Sequence, residues 1–193
     1  ICNATIETSL PKWLKGSSKG WVTAEYNMLP RATSTRTQRE AKIGKQTGRT
    51  MEIQRLIGRS LRSTLDLRIL RGYQLTIDCD VIQADGGTRT TSITGAFIAL
   101  NNALKAMLDN KDISSNPIKD SICAISCGII ENEVLLDLDY KEDSLAKVDA
   151  NFVFAKNSGL VEIQASGEEH TFTKIQFDEM YNLALQGANK IFD

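Results

Sequence analysis

The residues between 75 and 108 constrain the fold most, because a strand pattern changes there to a helix pattern within a few positions. Apolar and polar residues alternate up to Val81, which predicts a strand with one buried face. Turn residues follow at Asp85-Gly86-Gly87. Beyond them the apolar residues recur at helical spacing, which predicts an amphipathic helix: Ile93, Ala96, Phe97, Leu100, Ala103, Leu104, Met107 and Leu108.

The start of this helix, at Thr88 and Arg89, is a candidate anion site. Unpaired backbone N–H groups and the positive end of the helix dipole meet there, and the two side chains add a hydroxyl and a guanidinium. The alternative is a plain turn with a threonine N-cap and a solvated arginine. The segment is not a P-loop, because it lacks the lysine and the Gly-x-x-x-x-Gly-Lys spacing.

A second predicted helix begins near Gly48-Arg49-Thr50, where Thr50 would be the N-cap and Glu52 would lie in the first turn. Its apolar stripe consists of Ile53, Leu56, Ile57, Leu61 and Leu65. Arg49 then lies beside a helix N-terminus, as Arg89 does. Two arginines at two helix starts would be able to converge on one anion.

Positive charge is concentrated in one part of an otherwise acidic chain. The 193 residues carry a net charge of −1, yet residues 31–71 contain eleven Lys or Arg against three acids, a local charge of +8. Such a segment is typical of a surface that binds a polyanion. The alternative of a solvated helix face suits the arginines at 55–62, but not Arg31, Arg36 and Arg39, whose surroundings lack apolar periodicity.

The second half of the chain repeats the order of strands followed by helices. Strand patterns occupy 121–130 and 134–140, a hairpin surrounds Asn157-Ser158-Gly159, and a last helix starts near Phe172. The apolar set of that helix is Ile175, Phe177, Met180, Leu183, Ala184, Ala188 and Ile191. We predict an α+β fold of two related halves, 1–115 and 116–193, packed as one domain over 1–193. Because the chain begins inside a strand pattern without Met, we expect it to be truncated at both ends.

An acidic run in the second half is the other candidate for chemistry. It contains Asp137, Asp139, Glu142, Asp143 and Asp149. Such runs beside strands often form hydrated turns. Clustered carboxylates without a neighbouring His or thiolate also suit a hard cation such as Mg²⁺, or a single acid that donates a proton.

The four cysteines do not form a metal-binding pattern. Cys123 and Cys127 lie four positions apart in a predicted strand, roughly 13 Å at ~3.3 Å per residue, too far to bind one ion. Buried thiols in a reducing compartment explain them better. Without an apolar run near 18 residues or a signal peptide, the sequence predicts a soluble, cytoplasmic protein with no membrane partner.

Several spaced motifs together resemble one known family over nearly the whole chain. They are Gly-Trp-Val-Thr-Ala-Glu-Tyr at 20–26, Met-Leu-Pro-Arg at 28–31, Gly-Arg-Thr-Met-Glu-Ile-Gln at 48–54, Gln-Ala-Asp-Gly-Gly-Thr-Arg-Thr at 83–90 and Glu-Asp-Ser at 142–144. In these segments the chain resembles bacterial ribonuclease PH, a family of phosphate-dependent exoribonucleases that mature tRNA 3′ ends.

The resemblance implies roles for residues already singled out. The phosphate site would consist of Arg49, Gly87, Thr88 and Arg89. Asp143 and Asp149 would serve metal binding and acid catalysis, so the catalytic residues would be Arg49, Arg89, Asp143 and Asp149, with Asp137 a weaker candidate. Arg31, Arg36 and Arg39 would hold RNA.

The resemblance also implies the reaction and its partners. Inorganic phosphate as co-substrate, with Mg²⁺ as cofactor, would attack the last phosphodiester of a tRNA precursor 3′ end and release a nucleoside 5′-diphosphate. The assembly would be a homo-hexamer, a trimer of dimers. The main alternative is a non-catalytic RNA-binding ring subunit of an exosome-like assembly, which is expected to lack the Thr-Arg pair or the aspartates. A phosphate- or nucleotide-binding protein that does not act on RNA is a more distant alternative.

Overall fold

The computed structural model describes residues 1–167 and 170–193, which form two β-sheets with helices between and beside them. The strands are β1 (Cys2–Glu7), β2 (Trp21–Met28), β3 (Gln74–Val81), β4 (Ile122–Ile130), β5 (Glu133–Leu136), β6 (Val148–Ala155) and β7 (Gly159–Gly167). The helices are α1 (Glu40–Ile43), α2 (Gly48–Ser63), α3 (Thr88–Asp109), α4 (Tyr140–Leu145) and α5 (Lys174–Phe192). None of these helices is long and apolar enough to span a membrane.

The first sheet has the strand order β1-β3-β2. β1 runs antiparallel to β3, and β2 runs parallel to it. Parallel strands need a crossover rather than a tight turn, and α2 lies in that connection. The predicted alternation in β3 is confirmed, because Leu75, Ile77 and Cys79 are buried against the helices.

The second sheet is antiparallel throughout, with the order β5-β4-β6-β7. Ile122, Ala124 and Val153 on one face belong to the same core as α2 and α3. Cys123 and Phe152 on the other face pack with α5. Because both faces are covered, β4 is a nearly continuous apolar run. The layers are therefore sheet, helix pair, sheet and helix, and the predicted α+β fold is confirmed.

The start of α2 differs from the sequence prediction. Thr47, not Thr50, is the N-cap, and its hydroxyl accepts the Thr50 N–H at 3.2 Å. The helix therefore begins at Gly48, and Glu52 lies beyond its first turn. The prediction was wrong because threonines flank Gly48-Arg49 on both sides and give the same local signal. Arg49 still lies in the first turn, as expected.

Two predictions for the second half also need correction. The strand predicted at 134–140 ends at Leu136, because Asp137 adopts a left-handed conformation with φ of 56°. The acidic run then enters α4, which Asp139 and Glu142 cap reciprocally. In α5, Ile175 and Ile191 are 70% and 45% exposed rather than buried, since only the middle turns of the helix have fully buried residues.

Asp120 fixes the turn between β6 and β7. Its buried carboxylate accepts hydrogen bonds from the Asn157 and Ser158 backbone N–H groups and from both side chains, at 2.7–3.3 Å. These bonds keep the pKa of Asp120 below its usual value even though burial alone would raise it.

Cys2 and Cys79 face each other directly across β1 and β3. Their sulfur atoms are 3.7 Å apart, and all four cysteines of the chain are free thiols. Ile1 and Asp80 exchange both backbone hydrogen bonds in the adjacent pair. Cys2 and Cys79 therefore occupy a non-hydrogen-bonded position, where cross-strand side chains approach most closely.

Candidate active site

The loop before α3 is built for a close backbone approach. Gly86 and Gly87 have φ of 79° and 56°, the left-handed region that favours glycine. A Cβ atom at Gly86 would lie 2.1 Å from the Leu138 carbonyl oxygen, so no other residue fits there without a shift. Gly87 is the N-cap of α3 and has no side chain to accept from the first N–H groups. The threonine N-cap considered as an alternative is therefore wrong, and the helix start remains suited to an anion.

Thr88 is the first residue of α3, and its hydroxyl has a defined partner. Tyr26 Oη lies 2.9 Å from Thr88 Oγ1. Tyr26 is on β2 and is almost completely buried. The Thr88 side chain is thereby held by a strand of the first sheet rather than being free in solvent.

Arg89 is enclosed by carboxylate and amide side chains. Its Nη2 donates to Glu52 Oε2 at 2.9 Å, and Gln164 Nε2 donates to the other Glu52 oxygen at 3.1 Å. Burial alone would raise the pKa of Glu52, but the hydrogen bonds from Arg89 and Gln164 bring it below its usual value. The Arg89 side chain is only 16% exposed, so it is not a solvated arginine. Within the described residues, its buried Nε has no hydrogen-bond partner.

Arg49 and Arg89 lie in the first turns of α2 and α3, two helices that pack against the same core. The positive charges of both arginines favour the ionised forms of the same two carboxyl groups, Glu52 and Asp149. Glu52 is on α2 and Asp149 is on β6, so the two arginines act at the junction between the halves. The packing of α2 and α3 in one core is tertiary structure, which the spacing of the motifs does not encode.

The carboxylates of the acidic run form the other side of this junction. Burial raises the pKa of Asp149, the negative charge of Asp143 adds to the effect, and Arg89 and Arg49 oppose it. Asn151 donates to both Asp149 oxygens at 3.3 and 3.5 Å. Asp137 lies against the glycine loop, since its Oδ1 would be 3.4 Å from a Cβ atom at Gly87.

An open cleft of about 550 Å³ lies in front of these groups. Arg49, Gly87, Thr88 and Asp143 line it, whereas Arg89 and Asp149 do not. The wall opposite the glycine loop comes from residues 33–35 and from Thr37, part of the segment 31–39 that we call the basic loop.

The three arginines of the basic loop are more exposed than Arg89. Arg31, Arg36 and Arg39 are all exposed. Arg31 Nη1 donates to the Ser34 carbonyl oxygen at 3.0 Å, which holds the loop in a bend. Arg39 is the N-cap residue of α1. None of these three arginines lines the cleft, although their neighbours at 33–35 and 37 do.

Comparison with known proteins identifies the family. The model of the 3′ exoribonuclease family, domain 1, matches residues 1–105, and domain 2 matches residues 120–187. Ribonuclease PH of Caulobacter vibrioides is 54% identical over 192 residues, which cover 100% of this chain and 81% of that protein. Ribonuclease PH of Maricaulis maris is 54% identical over 188 residues, 97% of this chain and 79% of the relative. The chain belongs to the ribonuclease PH family.

Solved structures of more distant proteins share the ribonuclease PH fold. The Archaeoglobus fulgidus exosome with RNA bound to the active site matches with a TM-score of 0.80 at 20% identity, over 98% of this chain and 76% of the other. An archaeal exosome core matches with a TM-score of 0.70 at 19% identity, over 98% and 73%. Identities this low show the fold alone. The high identity to ribonuclease PH proteins favours the enzyme over the alternative of a non-catalytic ring subunit.

Several residues that contact the candidate site are not indicated by the sequence patterns. Glu52 was interpreted as a helix-dipole residue, and Tyr26, Asn151 and Gln164 were given no role. Only Tyr26 carried a usable signal: the alternation in β2 puts it on the buried face with Val22 and Ala24, and a buried tyrosine hydroxyl needs a partner. The contacts of the others depend on strands far away in the chain.

Proposed function

We propose that the cleft beside Arg49 and Thr88 binds inorganic phosphate next to the 3′ end of a tRNA precursor, from which the protein removes nucleotides one at a time. The reaction class follows from the family: the chain is a phosphorolytic 3′-5′ exoribonuclease, a phosphate-dependent nucleotidyltransferase. The observation that carries the proposed site is the cleft that Arg49, Gly87, Thr88 and Asp143 line together, with Arg89 next to Thr88 in the first turn of α3.

The positively charged groups of the proposed site reduce the repulsion between the attacking phosphate and the phosphodiester of the RNA. An attacking phosphate must approach a negatively charged phosphodiester, and fixed positive groups reduce that cost before the reaction begins. In our proposal Arg49, Arg89 and the first N–H groups of α3 surround the phosphate, while Thr88 orients it. The buried, unpartnered Nε of Arg89 supports this role, because it is a donor without an acceptor among the described residues.

The acidic side of the site would serve the leaving group. One phosphate oxygen forms a bond to the terminal phosphorus, the bond from phosphorus to the upstream 3′ oxygen breaks, and that oxygen takes a proton. The product is a nucleoside 5′-diphosphate. Asp143 or Asp149 would hold the donated proton close to the 3′ oxygen, and the remaining carboxylate would stay ionised.

The two aspartates also fit a magnesium ion. Within residues 1–167 and 170–193, no group of three or more His, Cys, Asp or Glu lies close enough to hold a metal by itself. Mg²⁺ commonly takes one or two carboxylates and completes its shell with water and substrate phosphate. The negative charge of Asp143 acts on Asp149, and both side chains offer only oxygen atoms. A bound Mg²⁺ would offset negative charge between the two phosphate groups.

The proposal also covers RNA binding, the division of the site between the two halves, the oligomer and the cellular location. The exposed arginines of the basic loop would hold the RNA backbone, so binding should weaken with salt. The first half, 1–115, would supply the phosphate site and the second half, 116–193, the acids, within one domain. We also propose a hexamer built as a trimer of dimers. The four free thiols support a reducing, cytoplasmic location.

The experiment is to incubate purified protein and Mg²⁺ with a tRNA carrying extra 3′ nucleotides, with and without phosphate. Chromatography of the released nucleotides distinguishes the outcomes. Nucleoside diphosphates that appear only with phosphate would support the proposed site. Monophosphates would refute it, and RNA binding without any product would support the ring-subunit alternative.

A further inference from the structure

Tyr26 connects the two helices whose first turns carry the proposed phosphate ligands. Its hydroxyl lies 2.9 Å from Thr88 Oγ1 at the start of α3. Its backbone N–H donates to Gln54 Oε1 on α2 at 3.1 Å. The side chain is 3% exposed, so water scarcely competes for the hydroxyl.

We infer that Tyr26 is a positioning residue that orients the Thr88 hydroxyl toward phosphate, an inference that rests on the proposed role of Thr88. A hydroxyl has one proton to donate and accepts through its oxygen. Phosphate presents mainly acceptor oxygens, so the Thr88 proton must be directed to phosphate. The hydrogen bond between the two side chains then has one possible direction, in which Tyr26 donates and Thr88 accepts.

The consequence of removing the Tyr26 hydroxyl follows from this direction. Without it, Thr88 Oγ1 loses its donor and the threonine proton is free to rotate toward another acceptor. Phosphate would then have to fix the Thr88 hydroxyl during binding, which weakens binding. The hydrogen bond from Thr88 is weakened both in the complex with bound phosphate and in the transition state. The KM for phosphate should therefore change more than kcat.

The test compares Tyr26→Phe with Tyr73→Phe, a matched control. Tyr73 packs against the same core at the other end of the first sheet, where its carbonyl oxygen accepts from Trp21 N–H. Initial rates of diphosphate release are measured against phosphate at saturating RNA, and against RNA at saturating phosphate. We expect Tyr26→Phe to raise the KM for phosphate by about 2- to 12-fold, the effect of one neutral hydrogen bond. The KM for RNA, kcat and all constants of Tyr73→Phe should remain close to wild type.

A double-mutant cycle with Thr88→Val separates positioning from general packing. If Tyr26 acts through Thr88, adding Tyr26→Phe to Thr88→Val should cause no further rise in the KM for phosphate. Multiplied effects of the two substitutions would overturn the inference. A wild-type KM for phosphate in Tyr26→Phe would also overturn it, as would equal losses in kcat and in RNA binding.

A second readout does not depend on turnover. Phosphate should raise the thermal unfolding midpoint less in Tyr26→Phe than in Tyr73→Phe, because the stabilisation by a ligand grows with the logarithm of its concentration divided by its dissociation constant. If Tyr26→Phe does not fold, Thr88→Val alone decides, since an unchanged KM for phosphate in that variant would refute the inference. Release of monophosphates by the wild-type protein would refute the proposed phosphate site itself. Release of diphosphates by the wild type, with an unchanged KM for phosphate in Tyr26→Phe, would refute only the role of Tyr26.

Discussion

Arg89→Lys tests whether one arginine serves two anions at once. In the structure Arg89 Nη2 is bound to Glu52 Oε2 at 2.9 Å, while the buried Nε has no acceptor among the described residues. A guanidinium carries five N–H donors, so the bond from Nη2 to Glu52 leaves other donors for phosphate. The lysine ammonium is a point charge on a flexible stem, and it can satisfy Glu52 or phosphate but does not reproduce the fork. The substitution therefore keeps the charge and removes the geometry.

The magnitude follows from the bond that is lost. A hydrogen bond to a charged group contributes about 1.5–3 kcal/mol, which corresponds to about 10- to 150-fold in kcat/KM for phosphate. Arg89→Ala removes the charge as well, and losing one directed contact to the transition state costs about 10²–10³ in rate. Because the Arg89 side chain is only 16% exposed, solvent screening should reduce these effects little.

The assay is diphosphate release against phosphate concentration, together with RNA binding by filter retention in the absence of phosphate. Both Arg89 variants should keep near wild-type RNA affinity. The control is Arg59→Lys, because Arg59 also pairs with a carboxylate, Glu162 at 2.6 Å, and lies outside the cleft. Equal loss of trimming and RNA binding in Arg89→Ala would refute the assignment of Arg89 to phosphate.

Three further predictions concern stability, salt and thiol chemistry. Asp120→Ala should lower the free energy of unfolding by about 2–4 kcal/mol, because it removes a buried carboxylate that accepts several hydrogen bonds. Because the pKa of Asp120 is depressed, its contribution to stability is present above about pH 4 and is lost as the pH falls below that value. Urea unfolding of wild type and Asp120→Ala at several pH values measures the difference in stability, and a difference that does not shrink in acid would contradict the prediction. Replacing all three arginines of the basic loop by alanine should reduce the slope of log affinity against log salt by about 2, with unchanged slopes contradicting their contact with RNA. A mild thiol oxidant such as diamide should join Cys2 and Cys79, whose sulfur atoms are 3.7 Å apart, and lower the protein mass by two hydrogens; this product should be absent from Cys79→Ser.

The parts of the fold that sequence reasoning predicted correctly are those specified by local patterns. The apolar set of α3 is buried or partly buried as the spacing indicated, and Arg49 lies at a helix start. The helix N-cap at Thr47 and the left-handed Asp137 were missed, because competing residues nearby allow either conformation. The periodicity of α5 predicts which face of the helix is apolar, and Ile175 and Ile191 lie on that face. It does not predict how far the second sheet extends along the helix, so the exposure of these two residues is missed.

The sequence selects the individual residues of the candidate site but does not indicate the contacts between them. Both arginines and both aspartates were selected from motifs and helix starts. The ion pair of Arg89 with Glu52 and the hydrogen bond from Tyr26 to Thr88 join residues 37 and 62 positions apart. Such pairs are created by the packing of the first sheet and α2 against α3, and no local spacing encodes them.

The contacts between α2 and β7 limit when the candidate site can be completed during synthesis of the chain. Arg59 pairs with Glu162 and Gln164 binds Glu52 across 103 and 112 residues of sequence, so these bonds cannot form while the first half is alone. In a polypeptide made from its N-terminus forward, α2 and α3 are synthesised before β7, the strand that carries Gln164. The full set of hydrogen bonds around Arg89 and Glu52 can therefore form only after Gln164 has been synthesised. Catalytic competence arrives late in synthesis, well after the first sheet has emerged.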